Sequence, residues 1–383
     1  MALHFSKQEF EKRKLATLKS MKEHNLDALL MFRQESMFWL TGYDTFGYVF
    51  FQTLILDHKG NIILLTRAPD LRQAQNTSNI EDIRIWVDKD QSNPTDDLKI
   101  ILNELNLKGK KIGIEYEAYG MTGRNALRLN KSLKDYCEVE DQSELITKHR
   151  VIKSQEEIVY VKKAAELADQ ALDEAWKYAK AGASEAKILA EMQRVVLEGG
   201  GDYPANEYII GSGHNALLCR YQSEKRILSD TDQLTIEWAG TYKHYHSAMF
   251  RTIPIGKADP KHIKMHEACL EALTNCAKTL IPGKTAGDVF DIHAKTFDDL
   301  GYNKSRMNAC GYSLGTTFSP NWMDWPMLYT GNPYVITPGN VFFMHMILMD
   351  SDSKLAMNLG ETYLVTENGN ERLGKQKLDL VVL

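Results

Sequence analysis

Four stretches in the second half of the chain combine apolar runs typical of β-strands with polar side chains and turn-forming glycines. They are residues 234–252 (LTIEWAGTYKHYHSAMFRT), 311–316 (GYSLGT), 338–345 (PGNVFFMH) and 360–366 (GETYLVT). Glu237 and His345 each lie inside one of these runs. An isolated charge is costly to bury, so such a residue must be paired, kept neutral or used for function. The pattern predicts buried strands that carry these two polar side chains.

Length and charge limit the classes of protein to be considered. A single core rarely grows beyond about 300 residues, so for 383 residues we predict two domains, 1–150 and 151–383. The net charge of −5 and the isoelectric point near 6.2 provide no basic surface for nucleic acid or membranes. The charged N-terminus and the lack of long apolar runs argue against a signal segment or a membrane span. Five cysteines without a CxxC motif favour a cytoplasmic protein without disulfides.

The first 150 residues alternate between helical and strand patterns. Ser6 and Glu9 have the spacing of a capping box, which predicts a helix from there to about residue 25. Further helices are predicted near 95–106 and 121–132, and strands at 28–32, 49–56, 62–65 and 111–116. This alternation indicates a small α/β layer domain.

The second domain begins with a clearer helix signal. Ser154 and Glu157 form a second predicted capping box, followed by a helix over 156–180. Residues 181–184 (AGAS) and 282–285 (PGKT) both have the pattern of a helix end, a glycine turn and a Ser or Thr N-cap. This repeated pattern favours a duplicated half-domain, although two such caps can also arise by chance.

Several residues of this domain are candidates for chemistry. Glu237 is interpreted either as a catalytic or cation-binding acid or as a strand-end carboxylate paired with a basic residue. His345 is either a pocket residue or a core histidine with satisfied hydrogen bonds. His244 and His246 are two residues apart, so on a strand they would share a face; without a third ligand nearby, a polar strand edge is the favoured interpretation. Arg251 is interpreted as a structural residue at a strand end.

Other residues are candidates for binding a substrate. Arg220 has the fork geometry that binds a carboxylate through two hydrogen bonds. The stretch 322–327 (WMDWPM) places aromatic rings beside Asp324, which is compatible with core packing or with a wall for a flat, delocalised cation. Trp325 is the candidate ring, and Tyr242 lies close to Glu237 in the sequence.

These blocks resemble the pita-bread hydrolases, the family of methionine aminopeptidases, Xaa-Pro dipeptidases and creatinase. Residues 36–44 (SMFWLTGYD) and 111–115 (KIGIE) are similar to the creatinase-type N-terminal domain. The resemblance implies a small N-terminal α/β domain and a C-terminal α/β (α+β) domain with a duplicated β-sheet core wrapped by helices. It also implies a homodimer.

The metal ligands of this family are mostly replaced in the chain. The metal-dependent members bind a metal pair through two Asp, one His and two Glu. The matching positions here are Glu237, Ala248, Tyr312, His345, and either Gly360 or its neighbour Glu361. Alanine cannot bind a metal, and tyrosine is a poor ligand for hard divalent ions. We therefore expect a retained pocket with no metal and no other cofactor.

Within the family, residues 240–242, 245–248, 311–316 and 321–326 resemble the corresponding segments of ectoine hydrolases. This implies metal-independent opening of the cyclic amidine of a small zwitterion, giving an N-acetylated diaminobutyrate. Creatinase carries its basic histidine at the position of Arg220, so its mechanism does not transfer.

The resemblance and the chemistry together suggest a role for each candidate residue. Glu237 would attack or orient the amidine carbon, His345 and Glu361 would activate water and return a proton, and Tyr312 would stabilise the tetrahedral centre. Substrate contacts would come from Arg220, Trp325, Asp324 and Tyr242.

Three other functions remain open at this stage. The chain could be a metal-dependent Xaa-Pro dipeptidase with a ligand set of Glu237, His345 and Glu361. It could hydrolyse another small zwitterionic amidine or guanidine compound. It could also be an inactive binding module that retains the fold, although drift should then replace costly buried polar groups with apolar ones.

Overall fold

The computed structural model describes residues 3–383. The chain divides between Arg150 and Val151 into two compact units. Among the described residues, no helix has both the length and the apolar character needed to cross a membrane.

The N-terminal unit is built on a six-stranded mixed sheet with the strand order β4-β3-β2-β1-β5-β6. Its strands are β1 (Ala28–Met31), β2 (Thr53–Asp57), β3 (Ile62–Arg67), β4 (Asp82–Trp86), β5 (Lys111–Ile114) and β6 (Glu138–Asp141). Its helices are α1 (Lys7–Glu23), α2 (Gln34–Thr41), α3 (Leu71–Thr77), α4 (Pro94–Glu104), α5 (Gly123–Leu133) and α6 (Leu145–Arg150). Alternate residues of β1 enter different cores: Leu30 packs with residues of α4 and α5, and Leu29 packs with residues of α1 and α2. Helices therefore cover both faces of the sheet.

The predictions for this unit were right for its longer elements. Ser6 caps α1 as predicted. The predicted strand 49–56 begins only at Thr53, because residues Gly47–Val49 form a short 3₁₀ turn. The sequence patterns missed β4, β6, α2, α3 and α6, which are short and derive their stability from packing against the sheet.

The C-terminal unit contains two long β-hairpins whose strands lie side by side in one eight-stranded sheet. Its strands are β7 (Ile209–Ser212), β8 (Asp232–Tyr242), β9 (Tyr245–Ile255), β10 (Gly311–Ser313), β11 (Asp324–Met327), β12 (Val341–Asp350), β13 (Leu355–Thr366) and β14 (Gly369–Arg372). Their order is β11-β10-β12-β13-β9-β8-β7, with β14 paired to β13. The helices are α7 (Gln155–Tyr178), α8 (Glu185–Glu198), α9 (Pro260–Thr279) and α10 (Ala286–Asp299).

The two halves of this unit repeat one pattern. In each half, a helix pair precedes a long hairpin: α7 and α8 precede β8 and β9, whereas α9 and α10 precede β12 and β13. The second helix of each pair starts from the predicted cap, Ser184 or Thr285. The predicted capping box at Ser154 is also present, with both reciprocal hydrogen bonds formed. The fold therefore has the duplicated sheet expected from the sequence.

The two faces of this sheet have different surroundings. Trp238 donates from Nε1 to the carbonyl of Ala168 in α7 (3.0 Å), and Met344 packs in the core formed with α9 and α10. We call the face that carries these two residues the helix face, and the opposite one the inner face. Because side chains alternate along a strand, the register decides which polar residues share a face.

Candidate functional site

One row of residues crosses the middle of the C-terminal sheet. Glu237 of β8 is paired with Phe250 of β9, Phe250 with Gly360 of β13, and Gly360 with His345 of β12. Residues directly opposite one another project to the same face, so Glu237 and His345 both lie on the inner face. Two residues that the sequence separates by more than 100 positions are thus brought into one row.

Tyr312 links the two ends of this row. It is paired with Phe343, two residues before His345, and therefore lies on the same face. Its hydroxyl donates to Oε1 of Glu237 (3.4 Å) and accepts from Nε1 of Trp322 (2.8 Å). Its ring centroid is 5.6 Å from that of His345. The indole thus orients the phenol so that its proton points at the carboxyl group.

The carboxyl group of Glu237 is nearly enclosed. Burial raises the pKa of Glu237 to about 7, although the Tyr312 hydrogen bond and the positive charge of Arg220 act in the opposite direction. No ion pair within 4 Å neutralises it among the described residues, so the sequence alternative of a carboxylate in a salt bridge is wrong. An acid that titrates near neutral pH can exchange a proton during a reaction cycle.

His345 is also buried, in a largely aromatic environment. Its ring lies 5.5 Å from Phe343, centroid to centroid, and its Nδ1 has no hydrogen-bond partner among the described residues. Burial lowers the pKa of His345 to about 4, so the imidazole is neutral at pH 7. The alternative of a core histidine with satisfied hydrogen bonds does not describe this residue.

The residues at the family's metal-ligand positions do not fit a metal pair. Ala248 offers no donor atom, and an ideal Cβ on Gly360 would lie 2.8 Å from two ring carbons of Phe343. The aromatic ring thus occupies the space that a ligand side chain at position 360 would need. Across residues 3–383, no group of three His, Cys, Asp or Glu side chains could hold a metal ion.

The structure corrects the role expected for Glu361. As the neighbour of Gly360, Glu361 lies on the helix face, away from Glu237 and His345. There its carboxylate forms a buried ion pair with Arg251, and Arg372 lies 3.8 Å away. It therefore cannot activate water beside Glu237. Arg251 is structural as expected, but it lies in the middle of β9 and not at a strand end.

Three expected substrate contacts are also placed away from Glu237. Tyr242 lies on the helix face, where its ring meets Tyr160 of α7 at 5.7 Å. Trp325 packs edge-on against Tyr334 at 5.1 Å. Asp324 is paired with Ser313, the neighbour of Tyr312. Side-chain alternation explains the placement of Tyr242, whereas Trp325 is held away from the site by its contact with Tyr334.

Arg220 remains compatible with its expected role. It lies in the exposed segment after β7, and its Nη1 donates to the carbonyl of Cys219 (2.7 Å). Its charge lowers the pKa of both Glu237 and Tyr312, which places the guanidinium within electrostatic range of the site.

The two histidines of the β8–β9 hairpin do not share a strand face. His244 lies in the turn with a φ of 64° and stacks on Phe318 at 4.2 Å. His246 is fully buried: its Nε2 accepts from the backbone N–H of Ala205 (3.0 Å), and its Nδ1 contacts the hydroxyl of Thr317 (3.2 Å). The favoured interpretation of a polar strand edge was therefore wrong, because His244 lies in the turn and His246 is buried.

Sequence reasoning missed two residues of the site. Phe343 could have been found from strand alternation, because it lies two positions before His345 in the same run. Trp322 was grouped with the aromatic stretch, but Trp325 was chosen in its place. No sequence signal distinguishes the two indoles, because only the loop before β11 directs Trp322 towards Tyr312.

Comparison with known proteins identifies the family. The model of metallopeptidase family M24 matches residues 160–367, and that of the creatinase/prolidase N-terminal domain matches residues 13–152. The chain belongs to metallopeptidase family M24. This confirms the resemblance seen in the sequence.

Individual M24 relatives share about a quarter of their residues with the chain. Ectoine hydrolase from Halomonas elongata is 25% identical over a 390-residue alignment that covers 97% of each protein. Xaa-Pro dipeptidase from Pyrococcus horikoshii is 27% identical over 273 residues, covering 71% of this chain and 75% of the dipeptidase. The relatives therefore support a hydrolase without selecting its substrate.

Solved structures of M24 proteins confirm the fold class. Prolidase from Thermococcus sibiricus superimposes with a TM-score of 0.88 at 21% identity, covering 98% of this chain and 99% of the prolidase. A dipeptidase from Pyrococcus horikoshii gives a TM-score of 0.85 at 22% identity, with 97% and 100% covered. The α/β N-terminal domain and the C-terminal pita-bread domain are thus both established.

Proposed function

We propose that this protein is an ectoine hydrolase that opens the cyclic amidine ring without a metal ion. The observation that carries the proposal is the pairing of Glu237 with Tyr312. A carboxyl group without a salt bridge, with a pKa near 7, receives a phenol hydrogen bond where relatives of the family bind metals. The similarity to an ectoine hydrolase along nearly the whole chain also supports it.

The chemistry of the substrate explains how a hydrolase can work with such a site. Ectoine is a zwitterion whose positive charge is spread over an N–C–N unit, so the amidine carbon is already electrophilic. A peptide carbonyl is not, and peptidases of this kind polarise it with a metal. The reaction adds the oxygen of water to the amidine carbon, breaks one ring C–N bond and transfers a proton to the departing nitrogen. These steps require a carboxylate, a base and a hydrogen-bond donor.

The residues of the inner face can supply these groups. Deprotonated Glu237 would lie beside the amidinium and attack or orient its carbon. The neutral imidazole of His345, with its unpartnered Nδ1, would accept a proton from water and return it to the leaving nitrogen. The Tyr312 hydroxyl would stabilise the tetrahedral centre. Arg220 would bind the ring carboxylate.

This assignment is narrower than the one based on sequence. Glu361 and Tyr242 are left out because they lie on the helix face, and Trp325 is left out because it packs against Tyr334. Asp324 is paired with Ser313, which is adjacent to Tyr312 on the strand but projects to the other side of it. The proton transfer once divided between His345 and Glu361 therefore falls to His345 alone.

The experiment that tests the proposal is incubation of the purified protein with ectoine after exhaustive chelation. Mass spectrometry should show an increase of one water in the substrate and the formation of N-acetyl-2,4-diaminobutyrate. Turnover that disappears on chelation and returns with manganese would contradict the proposal and support a metal-dependent enzyme.

Two further assays separate the other candidate functions. Cleavage of an Xaa-Pro dipeptide with stoichiometric zinc or manganese in the protein would favour the dipeptidase. A thermal shift on adding ectoine, with no product formed, would favour the binding module. We further propose that the protein acts as a cytoplasmic homodimer on this small substrate, with no nucleic acid or membrane partner. Sedimentation of the purified protein tests the dimer.

A further inference from the structure

The two halves of the C-terminal sheet meet at a short seam between β9 and β13. Only two residue pairs form the ladder there, Arg251 with Leu359 and Phe250 with Gly360. By contrast, β8 pairs with β9 along its full length, as do β12 and β13. The seam lies between Glu237 on one side and His345 with Tyr312 on the other. The distance across it therefore sets the distance between the two parts of the site.

Side chains extend the seam where the backbone ladder stops. On one side, the hydroxyl of Thr362 donates to the carbonyl of Ala248 (2.8 Å) and accepts from its N–H (2.9 Å). On the other side, the hydroxyl of Thr252 accepts from the N–H of Asn358 (3.0 Å). Side-chain bonds thus replace the missing backbone pairs.

Arg251 makes the central connection from the helix face. Its Nη1 donates to the carbonyls of both Phe250 and Gly360, each at 2.9 Å. These are the two middle members of the row that joins Glu237 to His345. Its Nη2 bonds the carboxylate of Glu361, which is fully buried and belongs to β13. One guanidinium therefore holds two backbone carbonyls and one carboxylate across the junction of the half-sheets.

We infer that the Arg251–Glu361 pair is a positioning device, which fixes the separation of Glu237 from Tyr312 and His345 through the β9–β13 seam. The inference rests on the proposed function only for the identity of the reaction. Neither residue touches the inner face, so both act through the backbone of Phe250 and Gly360. Lysine at position 251 could not replace arginine, because a single ammonium lacks the planar fork that serves three acceptors at once.

The test uses a double variant, since removing one partner would leave a buried charge unpaired and endanger the fold. Arg251→Met combined with Glu361→Met removes both charges and keeps the volume. We expect a folded protein with cooperative thermal unfolding in which kcat for ectoine falls about 100-fold while KM changes little, as a displacement of about 1 Å would cause. The matched control is Arg372→Met, which also removes a cation near Glu361 but makes none of the seam contacts. It should behave like the wild type.

A second measurement does not depend on the substrate. In protein labelled with ¹⁵N-tryptophan, the indole N–H signal of Trp322, assigned with Trp322→Phe, reports on its hydrogen bond to Tyr312. Loss of the contact between Glu237 and Tyr312 changes the hydrogen bonding of the phenol oxygen. The chemical shift of the Trp322 indole N–H in Glu237→Gln therefore serves as a reference. The double variant should move this signal in the same direction, and Arg372→Met should leave it in place.

The possible outcomes separate the inference from the proposed function. If the wild type does not hydrolyse ectoine but the Trp322 signal moves as expected, the proposed function fails and the positioning role stands. A folded double variant with wild-type kcat and an unchanged Trp322 signal would overturn the positioning role. If the double variant does not fold, Arg251→Lys takes its place, with a smaller loss of kcat and the same direction of signal change expected.

Discussion

The phenol of Tyr312 donates a hydrogen bond to Oε1 of Glu237 across 3.4 Å, from one half of the pita-bread sheet to the other. The resemblance to the metal-dependent members of the family implies that these two positions correspond to metal ligands. In this chain they interact with each other directly. A bond between a near-neutral acid and an oriented phenol gives the site a proton that can move, which is the property a metal-independent hydrolase needs.

Replacing Glu237 with glutamine should reduce kcat for ectoine by at least about 100-fold, because the amide retains the size of the side chain but provides no carboxylate. Turnover and thermal unfolding are measured on the same preparations. Glu166→Gln, an exposed substitution on α7, serves as the control and should have wild-type activity. Near-wild-type turnover in Glu237→Gln would remove this residue from the mechanism.

The activity should rise with pH through a single ionisation near 7. Glu237 must be deprotonated to act as a carboxylate, and its pKa is raised to about 7 by burial. The pKa of His345 is lowered to about 4, so this residue is neutral across the same range and adds no second transition. The measurement is log kcat/KM against pH between 5 and 9, because this ratio reports the ionisation of the free enzyme. A flat profile in this range would show that Glu237 does not limit turnover by its ionisation.

Stability should show the opposite dependence on pH. The folded-state pKa of Glu237 lies above its usual value of 4.5, so the folded protein holds a proton that the unfolded chain has lost. The contribution of this proton to the free energy of unfolding is fully present below about pH 4.5 and is lost as the pH rises through 7. The total loss is on the order of 3 kcal/mol. Chemical unfolding at pH 5 and pH 8 measures it. Glu237→Gln isolates the effect, because the free energy of unfolding should differ less between pH 5 and pH 8 in that variant.

Removing the hydroxyl of Tyr312 tests the bond itself. Tyr312→Phe should reduce kcat by about 10- to 100-fold, since one donor to the developing charge is lost. It should also raise the pKa read from the pH profile, because the hydrogen bond of Tyr312 holds the pKa of Glu237 down. Tyr363→Phe is the matched control, a buried tyrosine of β13 on the helix face. A Tyr312→Phe variant with an unshifted profile would indicate that the bond does not form in solution.

The aromatic ring above Gly360 can be tested through stability alone. Gly360→Ala should destabilise the fold by about 1–3 kcal/mol, because the new Cβ would lie 2.8 Å from the ring of Phe343. Adding Phe343→Leu should recover part of this loss. The measurement is a double-mutant cycle in urea. Independent effects of the two substitutions would show that the ring does not fill the place of the missing ligand.

The sequence alone determined the architecture of this protein and the character of its site. Long apolar strands, capping residues at Ser154, Ser184 and Thr285, and the altered ligand positions all depend on local patterns, and they predicted a duplicated core with a pocket of unusual composition. Glu237 and His345 were predicted because a polar group inside an apolar run can be recognised from the sequence, whereas Tyr312 was predicted from the resemblance to the family.

Only the tertiary structure decided which of these residues meet. Glu361 and Tyr242 failed as site residues because each lies one position out of phase with Glu237 in the sheet, and a shift of one residue moves a side chain to the other face. Whether Gly360 or Glu361 lies on the same face as Glu237 depends on the pairing of β13 with β9, which brings together Gly360 and Phe250, 110 residues apart. Such a register arises from packing across the whole sheet, and no local pattern encodes it.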